Sequence, residues 1–328
     1  MLISRRGLIA GVAITAAAPA LSFRRAPLQP ATWPAPTREL MVPVPDGGRV
    51  YVRVNGDLSA ALPPLILVHG GPGGTHGSLM PATALATDRA VILYDQLGCG
   101  RSDRPAGRGW WTVPHFVSEV DAIRQALGLA RLHLLGHSWG GTVALEYAAR
   151  RPAGLLSTVL ASPLVSTRAW IADADALRRQ LPEAVQKVLT ACDARPAPAC
   201  TAATGAFYGA FNGREPPSPA AIAYARTVSG RGTNDDMYRA MWGGSEFSST
   251  GSLRDYDGEP LLARLDGDQT LFLGGQYDEA RPSTLAGFAA RVAGAEFATV
   301  PGAAHGLFGD RPTETLGIVS GWLERHDA

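Results

Sequence analysis

The chain has 328 residues, 46% of them hydrophobic, with 30 Lys and Arg against 29 Asp and Glu and a formal net charge of +1. That balance, with one short basic run at the N-terminus, argues against a nucleic-acid binder, and the length suits one large domain or a domain carrying an insertion. The 38 glycines and 25 prolines are spread along the chain without an internal repeat, which excludes low-complexity and solenoid architectures.

The first segment reads as an address. Ser4-Arg5-Arg6-Gly7-Leu8-Ile9 is a twin-arginine pattern, followed by small and apolar residues to about Leu21 and a small-x-small cleavage site at Ala18-Pro19-Ala20. The apolar run is short for a membrane span, which takes about 20 residues. The expectation is a bacterial twin-arginine export signal, a periplasmic or secreted mature protein and no stable membrane span in it. An uncleaved anchor is the alternative. Residues 22–37 are Pro-rich and expected to be a linker, so that 1–37 form the signal and linker.

Folded patterning begins at residue 38. Residues 39–44 and 49–54 alternate apolar and polar side chains around Asp46-Gly47-Gly48, a β-hairpin. Leu65-Ile66-Leu67-Val68 is a continuous apolar run of the kind buried on both sheet faces, and it stops at His69-Gly70-Gly71-Pro72-Gly73-Gly74. A second buried strand over 90–94 ends in Asp95-Gln96-Leu97-Gly98-Cys99-Gly100-Arg101-Ser102, where Asp95 and Arg101 are expected to brace neighbouring loops. Residues 116–127 show helical spacing, 131–135 form a strand, 142–150 a helix and 155–160 another strand. The alternation breaks at about Ser162 and resumes at Thr270-Leu271-Phe272-Leu273. A helix over 282–292, a strand over 296–300 and a helix over 313–325 complete the chain. The expectation is an α/β fold, a mostly parallel central sheet flanked by helices, made of 38–164 and 263–328, with a helical cap inserted over 165–262.

Of three cysteines, Cys99 is expected to be packed. Cys192 and Cys200 are spaced to close a small disulfide loop in an exported protein; two free thiols are the alternative.

Three chemistry-bearing residues each follow a buried strand. Ser138 sits in Gly136-His137-Ser138-Trp139-Gly140, between a strand and a helix. Such a turn holds the serine in a strained conformation with its hydroxyl at the apex. Asp278 follows the strand at 270–273, and His305 follows the strand at 296–300. A parallel sheet brings loops at strand C-termini to one edge, and the chain order Ser, Asp, His is that of α/β hydrolases. The serine needs a base, His305, and the base needs an orienting carboxylate, Asp278. Glu279, and less well Asp266 and Asp268, compete with Asp278 for that role. His69 and His137 are expected to be structural. The N–H groups of Gly71 and Trp139 are the expected oxyanion hole, with Gly70 beside them against the substrate. No Cys, His or carboxylate cluster has metal-ligand spacing, so neither metal nor other cofactor is expected.

The loops at 69–73, 95–102 and 136–141 together resemble those of the prolyl iminopeptidase family of α/β-hydrolase serine peptidases. The likeness continues through Met241-Trp242-Gly243-Gly244-Ser245-Glu246-Phe247 and through the segment from Phe207-Tyr208 to Glu215-Pro216. It spans nearly everything from about Arg38 onward. It implies a serine aminopeptidase that releases an N-terminal residue, proline foremost, from short peptides or amino-acid amides through an acyl-enzyme. It also implies that Glu246 binds the substrate's α-amino group, with Glu215 a second candidate. His137 stands where many members have Gly, and Leu97 where many have Arg, departures that bear on strict proline preference. An amino-acid amidase or carboxylesterase of the same fold, with no need for a free amine, is the alternative.

Overall fold

A computed structural model describes residues 32–45, 47–194, 198–227 and 230–328. The twin-arginine segment, most of the linker and Asp46 lie outside the described residues. The apolar runs of the sequence become strands because their side chains leave water on both faces. β3 (Leu65–Val68), β4 (Val91–Asp95), β5 (Leu132–His137) and β7 (Thr270–Gly275) are buried at every position. With β1 (Arg38–Pro43), β2 (Arg49–Asn55), β6 (Leu155–Ala161) and β8 (Glu296–Val300) they form one eight-stranded sheet, ordered β1-β2-β4-β3-β5-β6-β7-β8. The hairpin β1–β2 joins β4 antiparallel, and every later pairing is parallel. The C-terminal ends of β3, β5, β6, β7 and β8 therefore share one edge, where ligand sites of such sheets lie.

The helices α1 (Val113–Ala126), α2 (Trp139–Ala148), α8 (Pro282–Ala289), α9 (Leu307–Asp310) and α10 (Pro312–Arg325) accompany the sheet. Between β6 and β7 the chain leaves the sheet and builds α3 (Thr167–Arg178), α4 (Glu183–Ala194), α5 (Pro198–Phe211), α6 (Pro219–Thr227) and α7 (Asp235–Met241). These have an apolar cluster of their own, with Ala174, Leu177, Leu189, Ala203, Phe207 and Phe211 buried together. A Cys192–Cys200 disulfide joins α4 to the first turn of α5, deciding between the alternatives that the spacing left open. Cys99 is buried.

Boundaries moved where capping outweighs hydrophobic period. α1 starts three residues before the apolar spacing because the Thr112 side chain accepts from His115 N–H and Pro114 occupies the first turn. Two helical stretches, a 3-10 segment His76–Thr87 and α9, show no helical period in the sequence. The first contains Pro81, and the second is a single turn. Residues 33–37 do not behave as a free linker. Asn55 Nδ2 donates to Ala35 O at 2.9 Å, Thr37 N–H donates to Val54 O at 2.8 Å, and Trp33 packs on the core.

Candidate active site

The turn from β5 into α2 admits very little side chain. A Cβ on Gly136 would lie 2.0 Å from Gly140 O, and a Cβ on Gly140 would lie 2.1 Å from Val68 O. Both contacts are impossible, so only glycine lets helix and strand approach this closely. Ser138 between them takes φ 57°, ψ −122°, and its side chain makes no capping hydrogen bond. A non-glycine residue in that region costs about 1–3 kcal/mol. Burial of Leu134, Leu135, Val143 and Leu145 on either side, at about 1.5–3 kcal/mol each, outweighs it. Ser138 is therefore no ordinary N-cap: the hydroxyl points into a cavity rather than back to the helix.

That cavity has a volume of about 380 Å³ and is lined by Ser138, His305, Gly70, Gly71, Trp139 and, from the inserted helices, Tyr208, Tyr238 and Glu246, among others. It falls at the small end of the range for small-molecule sites, roughly 300–1,000 Å³. Trp139 heads α2, so its N–H has no intrahelical carbonyl. Gly71 N–H likewise has no acceptor among the described residues. Gln96 holds the Trp139 ring, accepting from its Nε1 at 2.8 Å and donating to His69 O at 2.8 Å.

Asp278 is fully buried with all its oxygens engaged. Oδ2 accepts from Ser162 Oγ at 2.5 Å and Gly275 N–H at 3.0 Å; Oδ1 accepts from Ala280 N–H at 2.9 Å and His305 Nδ1 at 2.9 Å. This locks the His305 ring with Nε2 toward the cavity. Burial pushes the imidazolium down, but Glu279, Asp278 and Glu246 together outweigh it and hold His305 up at about 9. No hydrogen bond joins Ser138 Oγ to Nε2 in this geometry; the nearest acidic oxygen to Nε2 is Glu279 Oε1 at 3.6 Å. Ser138, Asp278 and His305 are thus brought to one edge of the sheet, with Asp278 rather than Glu279 at Nδ1.

His137 and His69 take other positions. His137 Nε2 donates to His305 O at 2.8 Å, steadying the backbone that carries the histidine. His69 Nε2 accepts from Gln96 N–H at 3.0 Å. Burial pushes both down to about 4, so both are neutral. Asp95 Oδ1 accepts from His76 N–H and Oδ2 from Arg101 N–H, bracing the loops that flank the site. Among the described residues no cluster of three His, Cys, Asp or Glu is arranged to hold a metal ion.

Glu246 lies in the cavity wall, 7% exposed. Its Oε1 accepts from Tyr208 Oη at 2.6 Å and Tyr238 Oη at 2.5 Å, and its Oε2 from Trp170 Nε1 at 3.2 Å. All three donors are neutral, and no Lys or Arg among the described residues lines the cavity. Glu215 is elsewhere. Its side chain is half-exposed and accepts from Arg311 Nη1 at 2.9 Å. The buried carboxylate of Asp310 takes the N–H groups of both Arg214 and Glu215, which turns the chain outward after α5, so Glu215 faces solvent and not substrate. Asn212, three residues earlier, lines the cavity in its place.

Sequence reasoning missed Ser162, Trp170, Tyr208, Tyr238 and the position of Glu279. Only Glu279 had a local signal, its adjacency to Asp278. The others come from elements whose packing on one another no spacing encodes.

A family model described as the alpha/beta hydrolase fold matches residues 63–312. A proline iminopeptidase of Heyndrickxia coagulans is 36% identical over 280 residues, covering 84% of this chain and 96% of the relative. Among solved structures, VinJ superposes with TM-score 0.80 at 33% identity, over 89% of this chain and 99% of its own. Proline iminopeptidase of Mycobacterium smegmatis superposes with TM-score 0.78 at 33% identity, over 88% and 99%. With its sheet order, its strained serine and these similarities, the chain belongs to the proline iminopeptidase family of α/β hydrolases.

Proposed function

We propose that the protein is a serine aminopeptidase that releases the N-terminal residue, proline favoured, from short peptides and amino-acid amides. The observation that carries this reading is Glu246. It is a buried carboxylate in the wall of the serine's cavity, held by three neutral donors, and no Lys or Arg among the described residues lines that cavity. A charge so placed suits a ligand ammonium, which gives the strong charge-assisted hydrogen bond that the neutral donors do not.

In this mechanism Ser138 Oγ attacks the first peptide carbonyl while His305 Nε2 takes its proton. The N–H groups of Gly71 and Trp139 hold the developing oxyanion. His305 then protonates the leaving amine, and water, activated by the same nitrogen, releases the acyl group from Ser138. Asp278 keeps the ring oriented and stabilises the imidazolium. The cavity is lined from above by Tyr208 of α5 and Tyr238 of α7, and a substrate held there by its terminal amine presents its first peptide bond to Ser138, which favours exopeptidase over endopeptidase action.

The test compares proline, alanine and leucine anilides with their N-acetylated forms. The free amines should be cleaved at least 100-fold faster in kcat/KM; equal rates with and without the acetyl group refute amine recognition.

We also infer export through the twin-arginine segment to the periplasm or medium. The Cys192–Cys200 disulfide supports this, since such bonds persist in oxidising compartments. Cell fractionation and N-terminal sequencing of the purified protein test it; a cytoplasmic protein retaining Met1 refutes it.

A further inference from the structure

Asn234 stands where the inserted segment meets the sheet edge, and the roles above do not use it. Its side chain caps α7, Oδ1 accepting from Met237 N–H at 3.1 Å. Its remaining donors reach away from that helix. The backbone N–H donates to Gly73 O at 2.7 Å, and Nδ2 donates to Gly98 O at 2.9 Å. Gly73 lies in the loop after β3 and Gly98 in the loop after β4, so a single residue grips both. The approach to the first is close: a Cβ on Gly73 would lie 2.4 Å from Asn234 O. The residues before Asn234 tighten the join. Gly100 N–H donates to Gly232 O at 2.9 Å, Arg231 N–H to Gly100 O at 3.0 Å and Arg104 Nη2 to Gly232 O at 3.0 Å. Both loops serve the oxyanion hole. The first carries the Gly71 N–H. Four of its five residues from 70 to 74 are glycine, a backbone with little stiffness of its own, and the bond within it, Gly74 N–H to Gly70 O, is 3.2 Å long. The second seats Trp139, whose N–H is the other donor. Gln96, two residues before Gly98, accepts from Trp139 Nε1 and donates to His69 O, both at 2.8 Å.

We propose that Asn234 is a positioning residue for the oxyanion hole: it clamps the loop that carries Gly71 and the loop that seats Trp139 at a fixed separation. This rests on the two donors named under the mechanism, and not on amine recognition. Oxyanion donors stabilise a transition state only when they already stand where the charge develops. A loop of four glycines needs an outside hold to meet that condition, and Asn234 supplies one that spans both halves of the hole. The inserted segment thus does more than wall the cavity. Through Asn234 it sets the geometry in which the tetrahedral intermediate is held. The amide is suited to this as few side chains are. Its oxygen caps α7 while its nitrogen donates to Gly98 O. Aspartate keeps the capping oxygen but has no donor for that carbonyl, and serine keeps a capping oxygen but is too short to reach it. Both cap a helix about as well as asparagine, so each separates the clamp from the fold of α7.

The test uses Asn234→Asp and Asn234→Ser with a proline anilide, p-nitrophenyl acetate and a prolyl trifluoromethyl ketone. Ser138 Oγ adds to the carbonyl of that ketone while His305 Nε2 takes its proton, which leaves an oxyanion in the hole. In both variants kcat should fall roughly 10- to 100-fold on both substrates, part of the 10²- to 10³-fold that loss of a whole oxyanion donor costs, with KM for the anilide within about threefold of wild type. Affinity for the ketone should fall in step with kcat/KM. Affinity for prolinamide, measured by calorimetry in a Ser138→Ala background, should stay within about threefold, because its planar carbonyl makes little demand on the hole. A kcat within about threefold of wild type in both variants overturns the proposal. So does a loss of rate that leaves ketone affinity unchanged, which is what a merely structural role would give. Where a variant melts early, the ratio of ketone to prolinamide affinity is the measure, since only folded protein binds either; an unchanged ratio overturns the clamp. Amine recognition fails separately. Equal rates on free and N-acetylated anilides in wild type remove the aminopeptidase reading and leave the clamp to be judged on p-nitrophenyl acetate, whereas unaltered variants with amine selectivity intact remove only the role of Asn234.

Discussion

Replacing Glu246 by glutamine tests amine recognition with little change of shape. The carboxylate receives Tyr208 Oη at 2.6 Å, Tyr238 Oη at 2.5 Å and Trp170 Nε1 at 3.2 Å. Glutamine keeps one oxygen for the tyrosines, but its NH2 faces the Trp170 N–H, donor against donor. Loss of the charge-assisted bond to an ammonium costs about 1.5–3 kcal/mol, and the mismatched donors add about 1 kcal/mol. A total near 3 kcal/mol corresponds to roughly 100- to 200-fold in kcat/KM at 1.36 kcal/mol per decade. The loss should fall on free-amine anilides, mainly in KM, while p-nitrophenyl acetate, which has no amine, keeps a rate within about threefold of wild type. The ratio of the two substrates cancels any general damage. An unchanged KM for the anilide, or a parallel loss on the acetate, would refute the role given to Glu246.

Ser138→Ala should reduce kcat by at least about 10³-fold with little effect on binding of a proline amide, measured by initial rates and by calorimetry; residual activity within tenfold removes Ser138 as nucleophile. Ser162→Ala takes one of the four donors from Asp278 and should lower kcat by about 10- to 100-fold, with KM for the anilide unaltered. Gly140→Ala puts a Cβ 2.1 Å from Val68 O and should prevent the elbow from closing, seen as insoluble protein or a melting temperature at least about 10 °C lower; a native melt would contradict the close approach. Acidification should destabilise the protein between about pH 6.5 and 4. His69, His133 and His137 are held down to about 4, so in that window the unfolded chain binds protons that the native one refuses, and stability falls as pH drops. Each contributes roughly 3 kcal/mol. Glu279, held up at about 8, works the opposite way from pH 8 down to its ordinary value near 4.5, and the Glu119 and Asp173 carboxyls, which burial also raises, work with it against the three histidines. Urea midpoints at pH 7, 5.5 and 4.5 check the balance; a midpoint that rises on acidification contradicts it.

The strands are legible in the sequence, the hairpin β1–β2 by alternation and those of the sheet interior as short apolar runs, bounded by glycine, proline or a polar turn. Burial on both faces of a parallel sheet demands such runs. The elbow around Ser138 is legible for a related reason. Its sterics involve mostly residues close in sequence, Gly136 against Gly140 and the helix that follows, so the pattern itself carries the geometry. Asp278 and His305 could be nominated because strand C-termini in a parallel sheet converge whatever the packing above them. The segments 69–74 and 95–102 were legible as loops at that same edge.

What lies above the sheet edge was not legible to the same degree. Glu246 and Glu215 carry the same charge in the same inserted segment, and only the resemblance to a family suggested either. Packing decides between them: Tyr208, Tyr238 and Trp170 converge from three helices onto Glu246, whereas Asp310 seizes the backbone before Glu215 and turns it out to Arg311. The helical period of such a segment says which face is apolar, but not which neighbour covers it. Cys192 and Cys200 were spaced equally well for a bond or for two thiols until α4 and α5 lay side by side. Glu279 shows the division most sharply. Its adjacency to Asp278 made the two rivals for one role; the sequence favoured Asp278 for its place at the strand end, and the structure gives Asp278 the Nδ1 face of His305 and leaves Glu279 facing Nε2 and the cavity. The sequence by itself determined the sheet, the elbow and the three residues at its edge, because local sterics and burial act through near neighbours. The tertiary structure alone decided which carboxylates meet in the cavity and what each faces, because most of those contacts join residues far apart in the chain, from 38 positions for Tyr208 and Glu246 to 116 for Ser162 and Asp278.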